Sequence, residues 1–184
     1  MNELSARFAQ SLGPPAASRI FRPGMPSLPA GTERYKVAGR GSCILNLNEG
    51  DEIHVTDLEG RQPCEILVAD KQGRIDAGIL GQQPNSDAAG IQSILIQDSE
   101  SAKIVVKGLR RRKIDLAKAG TLRVFSSRSS AGNSAKFVAN RKATLLVAAP
   151  GEAMRPDTQS PPTPIELIIK RANTKKHRST PLPE

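Results

Sequence analysis

The sequence is short of the residues from which most catalytic centres are built. It has two histidines, two cysteines, one tyrosine and no tryptophan in 184 residues. Two cysteines, Cys43 and Cys64, exclude a disulfide scaffold and a zinc site made of cysteine alone. With four phenylalanines as the other aromatics, a core has to be filled by Ile, Leu, Val and Ala. No apolar run is long enough to span a bilayer. The first thirty residues, broken by prolines, do not read as a secretory signal. The cytoplasm is therefore the expected compartment, and a membrane is not an expected partner.

What is present is a series of short apolar runs. After Pro14, Pro15, Pro23, Pro26 and Pro29 the pattern turns to β, because proline donates no amide proton and cannot sit in a central strand. Strands are expected at Ser42–Leu47, Glu52–Leu58, Cys64–Ala69, Ile91–Gln97, Ser101–Lys107, Thr121–Ser126, Ala135–Ala139, Ala143–Ala149 and Ile165–Lys170. Gly108–Ala119 reads as loop or strand. Short strands at this spacing predict a mainly β, antiparallel sandwich or barrel-like single domain. The expected division is an extended N-terminal arm (1–31), a β domain (32–171) and a basic, disordered linker or tail (172–184). A domain that ends in a linker suggests that something once followed it.

Charge is concentrated. The formal net charge is +9, and Lys107 to Lys142 holds eleven basic residues against one acid, Asp115. The remainder is nearly neutral. Such a lobe is the footprint of a protein that meets anions or acidic partners, although charge runs are commonly just solvated surface. Arg110, Arg111 and Arg112 are its densest part and are the candidate anion-binding residues. A single-strand nucleic-acid reader would need stacking rings. Only Phe125 and Phe137 are at hand, both in strand patterns that favour the core, so nucleic acid is not the expected partner.

No self-contained catalytic site is visible, and the chain reads as non-catalytic alone. His54 alternates with Ile53 and Val55, so it shares the polar face of its strand with Glu52 and Thr56. His177 lies in the tail. Zinc could draw on His54, Cys43, Cys64, Asp57, Glu59 and Glu65, but no C-x-x-C, H-x-H or H-E-x-x-H spacing occurs. No metal site is expected. Gly39-Arg40-Gly41-Ser42 lacks the following helix that a phosphate loop requires, and reads as a turn before a strand.

One segment carries more than composition. Gly50-Asp51, a strand, and then Asp57-Leu58-Glu59-Gly60-Arg61-Gln62-Pro63-Cys64-Glu65 resemble the G-(D/E)-x-(I/L)-x-(I/V)-x-D-x-x-G-x-Q-x-x-D signature of the urea carboxylase-associated family. Tyr35 to Gly41, Ala148 to Met154 and Pro161 to Leu167 are similar to the same family's opening and closing stretches. The resemblance frames residues 32–171 and leaves 71–140 unaligned. It implies either a small protein of urea and guanidine metabolism or a domain fused ahead of a folate-dependent aminomethyltransferase of the glycine-cleavage T-protein type.

The departures shape what it implies. The signature ends in Asp where this chain has Glu65, and neither histidine nor cysteine occurs between Glu65 and Arg141. The metal that such groups hold in metabolic members, and deiminase chemistry with it, are not carried over. The resemblance then implies an accessory or ligand-binding domain working with an aminomethyltransferase domain or subunit, with an anionic small molecule as a further partner. Tetrahydrofolate would enter only through that enzyme. The alternatives are a partner-dependent carboxyguanidine deiminase-type subunit and a basic nucleic-acid-binding module. Asp57 and Gln62 are the motif's candidate ligand-binding residues. They also suit a tight turn, with Asp57 capping amides, Gly60 taking positive φ, and Gln62 satisfying buried backbone groups.

Overall fold

Alternation along the early strands produces the first of two sheets. The computed structural model describes residues 28–97, 99–117, 119–151 and 161–172. Most of the expected arm and all but Ala172 of the expected tail fall outside the described residues. β1 (Thr32–Val37), β3 (Glu52–Asp57), β7 (Ser134–Val138) and β9 (Ile165–Lys170) form a four-stranded antiparallel sheet in the order β1-β9-β3-β7. Ile53 and Val55 of β3 and Ile165, Leu167 and Ile169 of β9 point inward and are fully buried. Their neighbours Glu52, His54, Glu166 and Lys170 lie on the outer face.

The second sheet is covered on both faces at its two central strands. β2 (Ser42–Leu47), β8 (Ala143–Ala148), β4 (Glu65–Ala69), β6 (Gly120–Arg123) and β5 (Ser86–Asp87) follow the order β2-β8-β4-β6-β5, all antiparallel. Every residue of β4 and β8 is buried. Ile66, Val68, Leu145 and Val147 face the first sheet, whereas Leu67, Ala69, Leu146 and Ala148 face a layer of helices. This explains why these strands read as continuous apolar runs rather than alternating ones. The mainly β antiparallel domain expected from the strand spacing is observed, and of the two forms expected, sandwich or barrel-like, it takes that of two open sheets.

Two expected strands are helices. Of Ile91–Gln97, the residues up to Leu95 belong to α1 (Ala89–Leu95), and Ser101–Lys107 belongs to α2 (Glu100–Arg111). Both contain β-branched residues, Ile91 and Ile94 in one and Ile104, Val105 and Val106 in the other, which bias a local reading toward strand. Tertiary packing decides otherwise. Ala102, Val105 and Leu109 stand at helical spacing and enter the core beside Ile91 and Ile94 of α1. Ser99 caps α2 by accepting from the Ala102 amide at 3.2 Å, and Glu100 occupies its first turn. Gly108–Arg111, expected as loop or strand, is the last turn of α2; the irregular reading holds only beyond it.

A three-way ionic clasp closes the first sheet against the β2–β3 turn. Arg171 grips Glu33 through Nε and Nη2 at 2.8 and 2.6 Å, and donates to the buried Asp51 at 2.6 Å. Asp51 also accepts from the amides of Asn48 and Ala172 at 2.8 and 3.0 Å. The Arg171 guanidinium holds the Glu33 carboxyl below its usual range, with Tyr35 donating to the same group.

Candidate functional site

The β3–β4 corner collects the residues singled out by the motif. Asp57 ends β3 with its carboxylate fully buried and folded back over the turn. One oxygen accepts from Gly60 N at 2.8 Å and the other from Gln62 N at 3.1 Å and from the Ser129 hydroxyl. Gly60 has φ +84°, and a Cβ there would stand 2.8 Å from the Ala131 amide nitrogen, so both conformation and space require glycine. Gln62, 2% exposed, donates to the carbonyls of Pro63 and Pro150 at 2.7 and 2.8 Å and accepts from Thr163 N at 2.8 Å. It thereby ties the corner to both ends of the 150–163 stretch. The hydrogen bonds of both side chains are made inside the protein.

Glu65 extends this corner toward the helices. The sequence marked it as a departure from Asp and as one possible zinc donor, not as a helix cap; the usable signal was an acid at the head of an otherwise apolar run. Its carboxylate accepts from Gly90 N at 3.2 Å and Ile91 N at 2.9 Å, replacing the side-chain cap that Ala88 cannot provide at the start of α1. A Cβ on Gly90 would come within 2.4 Å of the Glu65 carboxylate. Burial pushes this carboxyl above the ordinary range, partly offset by the two amides and by Arg123 across the strand pair.

Beside the corner lies a cleft of about 480 Å³, lined by Arg123, Phe125, Ser126, Arg128, Ser129 and Asn133 among others. Ser129 forms part of its wall while donating to Asp57, so the buried carboxylate stands directly behind the cleft. Phe125 is buried, as its strand-like setting predicted.

The three candidate arginines separate. Arg110 and Arg111 line a groove of about 580 Å³ between α1 and α2, together with Leu95, Ile96, Val106 and Lys107. Arg112 turns the other way. It donates to the Gly108 carbonyl and to Asn46 on β2, at 3.2 and 3.1 Å, and fastens the end of α2 to the sheet. The structure thus places Asp57 with Gln62, and Arg110 with Arg111, but keeps the two pairs on different elements.

The histidine and the thiols are kept apart as well. His54 sits on the outer face of the first sheet, 3.5 Å from Glu52, whereas Cys43 and Cys64 pack with the core between the sheets. Burial pushes the Cys43 thiol up to about 11 and Cys64 higher still. Among the described residues, no group of three or more His, Cys, Asp and Glu is placed to hold a metal ion. No helix among them is long and apolar enough to cross a membrane.

Comparison with known proteins gives a clear sequence match. The chain is 38% identical over 172 residues to a trimethylamine-oxide aldolase from Ruegeria pomeroyi, a match covering 94% of this chain and 22% of that protein. The chain therefore spans about a fifth of the length of the curated relative it matches. No protein-family model matches it. A DUF1989 family protein from Silicibacter pomeroyi superposes with a TM-score of 0.44 at 11% identity, covering 100% of this chain and 97% of that one. A designed double-stranded β-helix gives 0.30 at 12% identity, over 76% and 95%. Similarities at those scores carry no argument about function.

The aldolase match corrects the reading built on the urea carboxylase-associated resemblance. That resemblance rested on short motifs at the two ends and left 71–140 unaligned, whereas the new match runs over nearly the whole chain. The role beside a folate-dependent aminomethyltransferase, that enzyme as partner, and the deiminase and nucleic-acid alternatives are set aside with it.

Proposed function

We propose that the chain serves as one domain of an enzyme that cleaves trimethylamine oxide or a closely related small amine oxide. The observation that carries this reading is the 38% identity to a trimethylamine-oxide aldolase over 94% of the chain. An aldehyde-forming cleavage of this substrate balances without a co-reactant. The nitrogen–oxygen bond breaks and the oxygen ends on one methyl carbon as formaldehyde, that carbon's bond to nitrogen breaks, one of its hydrogens goes to nitrogen, and dimethylamine leaves.

An amine oxide presents one strongly accepting oxygen on an apolar body, so its site needs a few donors set against apolar walls. The cleft beside the corner offers that combination, with Arg128 and Asn133 near Phe125. In this reading Asp57 and Gln62 position the cleft wall through Ser129 and the proline segments, and need not touch the substrate.

The test is a transplant. This chain replaces the matching segment of the Ruegeria protein, and trimethylamine oxide turnover is followed as formaldehyde and dimethylamine. Equal release of both products supports the proposal. A folded chimera that yields neither overturns it. The purified chain assayed in parallel shows whether the chemistry resides in this segment or in the remainder.

A further inference from the structure

The groove between α1 and α2 lies apart from the corner and its cleft. Its floor is apolar: Leu95, Ile96 and Val106 continue into a second recess of about 280 Å³ bounded by Leu109, Ile114 and Leu116. Ile96 is 84% exposed, an unusual state for a large aliphatic side chain beside such a recess. Its rim is cationic. Lys103, Lys107 and Arg110 follow one another at helical spacing on α2, Arg111 adjoins them, and among the described residues no acid lines the groove. Lys103 is engaged with Glu100 at 3.2 Å, so the rim charge available to a ligand comes chiefly from Lys107, Arg110 and Arg111.

We infer that this groove docks an amphipathic helix of a partner protein, with an apolar stripe on Leu95, Ile96 and Val106 and acidic residues facing Arg110 and Arg111. Sign and shape select this occupant. A second copy would meet the groove with the same basic rim if the contact were two-fold, setting arginines against arginines. The chain's own tail carries Lys175, Lys176 and Arg178 and has the wrong sign. A nucleic acid would lack rings to stack on, since among the described residues no aromatic lines either recess. An open trough between two helices, apolar below and charged at one edge, suits a helix laid along it. This inference does not depend on the amine-oxide reading, and its test reads binding rather than turnover.

The probe is a fluorescein-labelled helical peptide of roughly 16 residues, with leucines at helical spacing and glutamates flanking them. A control peptide carries lysine in place of glutamate. Fluorescence anisotropy with the full chain is expected to show the acidic peptide binding at least about tenfold tighter than the basic one, and weakening as salt rises. The double substitution R110E/R111E is expected to remove that preference, and Ile96→Asp to weaken both peptides. R110Q/R111Q, which adds no acid to the surface, gives an intermediate loss and guards against a folding defect in the charge-reversed variant. Equal affinity for the two peptides, no binding of either, or a preference that survives R110E/R111E overturns the inference. So does sedimentation showing a dimer that Ile96→Asp dissociates, which would assign the groove to a second copy.

Discussion

The β3–β4 corner and the α1–α2 face use polar residues in opposite senses. At the corner, Asp57 and Gln62 are buried and their hydrogen bonds close on turn amides, a serine and two proline carbonyls. On the helical face, Arg110 and Arg111 stay exposed around an apolar trough, while Arg112, one residue on, is drawn into the fold by Asn46. The contrast teaches that residue type does not decide between architecture and recognition. What decides is whether the neighbouring backbone leaves donors and acceptors to be matched.

The comparison predicts a graded set of losses. Asp57→Ala strands two amides beneath a turn and should cost roughly 2–6 kcal/mol of stability, seen as a large drop in the urea midpoint. A loss below about 0.5 kcal/mol would mean the corner is not the clamp its geometry indicates. Gln62→Ala leaves two carbonyls and the Thr163 amide without their partner. It should cost about 2–4 kcal/mol, read from the urea midpoint.

Glu65 sharpens the comparison through pH. Its carboxyl is raised in the folded state, so the native chain holds a proton that the unfolded chain releases above its ordinary value of 4.5. Its contribution is therefore fully present below that value and is lost as pH rises through the folded pKa. Glu65→Gln should flatten this part of the stability profile and cost about 1 kcal/mol through one weakened amide contact. Urea titrations from about pH 4 to 7 check both. The smallest effects come from adjacent arginines. Arg112→Ala should cost about 1 kcal/mol, and Arg111→Ala less than about 0.5 kcal/mol. Equal values in thermal melts would erase the distinction between them.

Much of the β framework was legible because each strand solves a local problem. Ser42–Leu47 and Ile165–Lys170 are found where the apolar pattern places them, and the Asn48–Asp51 turn follows from Gly50 at φ +81°. The tight turn at Asp57 and Gly60 was also readable, since Asp57 caps amides three and five residues on, whereas the bonds of Gln62 to Pro150 and Thr163 reach 88 and 101 residues along the chain. The helices were not. The runs at 91–97 and 101–107 are too short for periodicity to outweigh their β-branched content, and their apolar sides are defined by β4 and β8 far along the chain. The capping role of Glu65 was missed for the same reason: the two amides it serves are 25 and 26 residues away. The separation of Arg112 from Arg110 and Arg111 depends on Asn46, which no local pattern announces.

β8 answers to different neighbours at successive positions, Leu145 and Val147 on one side and Leu146 and Ala148 on the other. The wall between the two layers is thus a single backbone thick. Leu146 packs in the cluster that holds Ile91 and Ile94 of α1, and the peptide units that carry Leu146 also carry Val147 into the opposite compartment. Sequence drift is constrained likewise, because no stretch of this strand belongs to one compartment alone. Remodelling the helical side by substitution therefore means changing every second residue of β8 and leaving the intervening ones untouched.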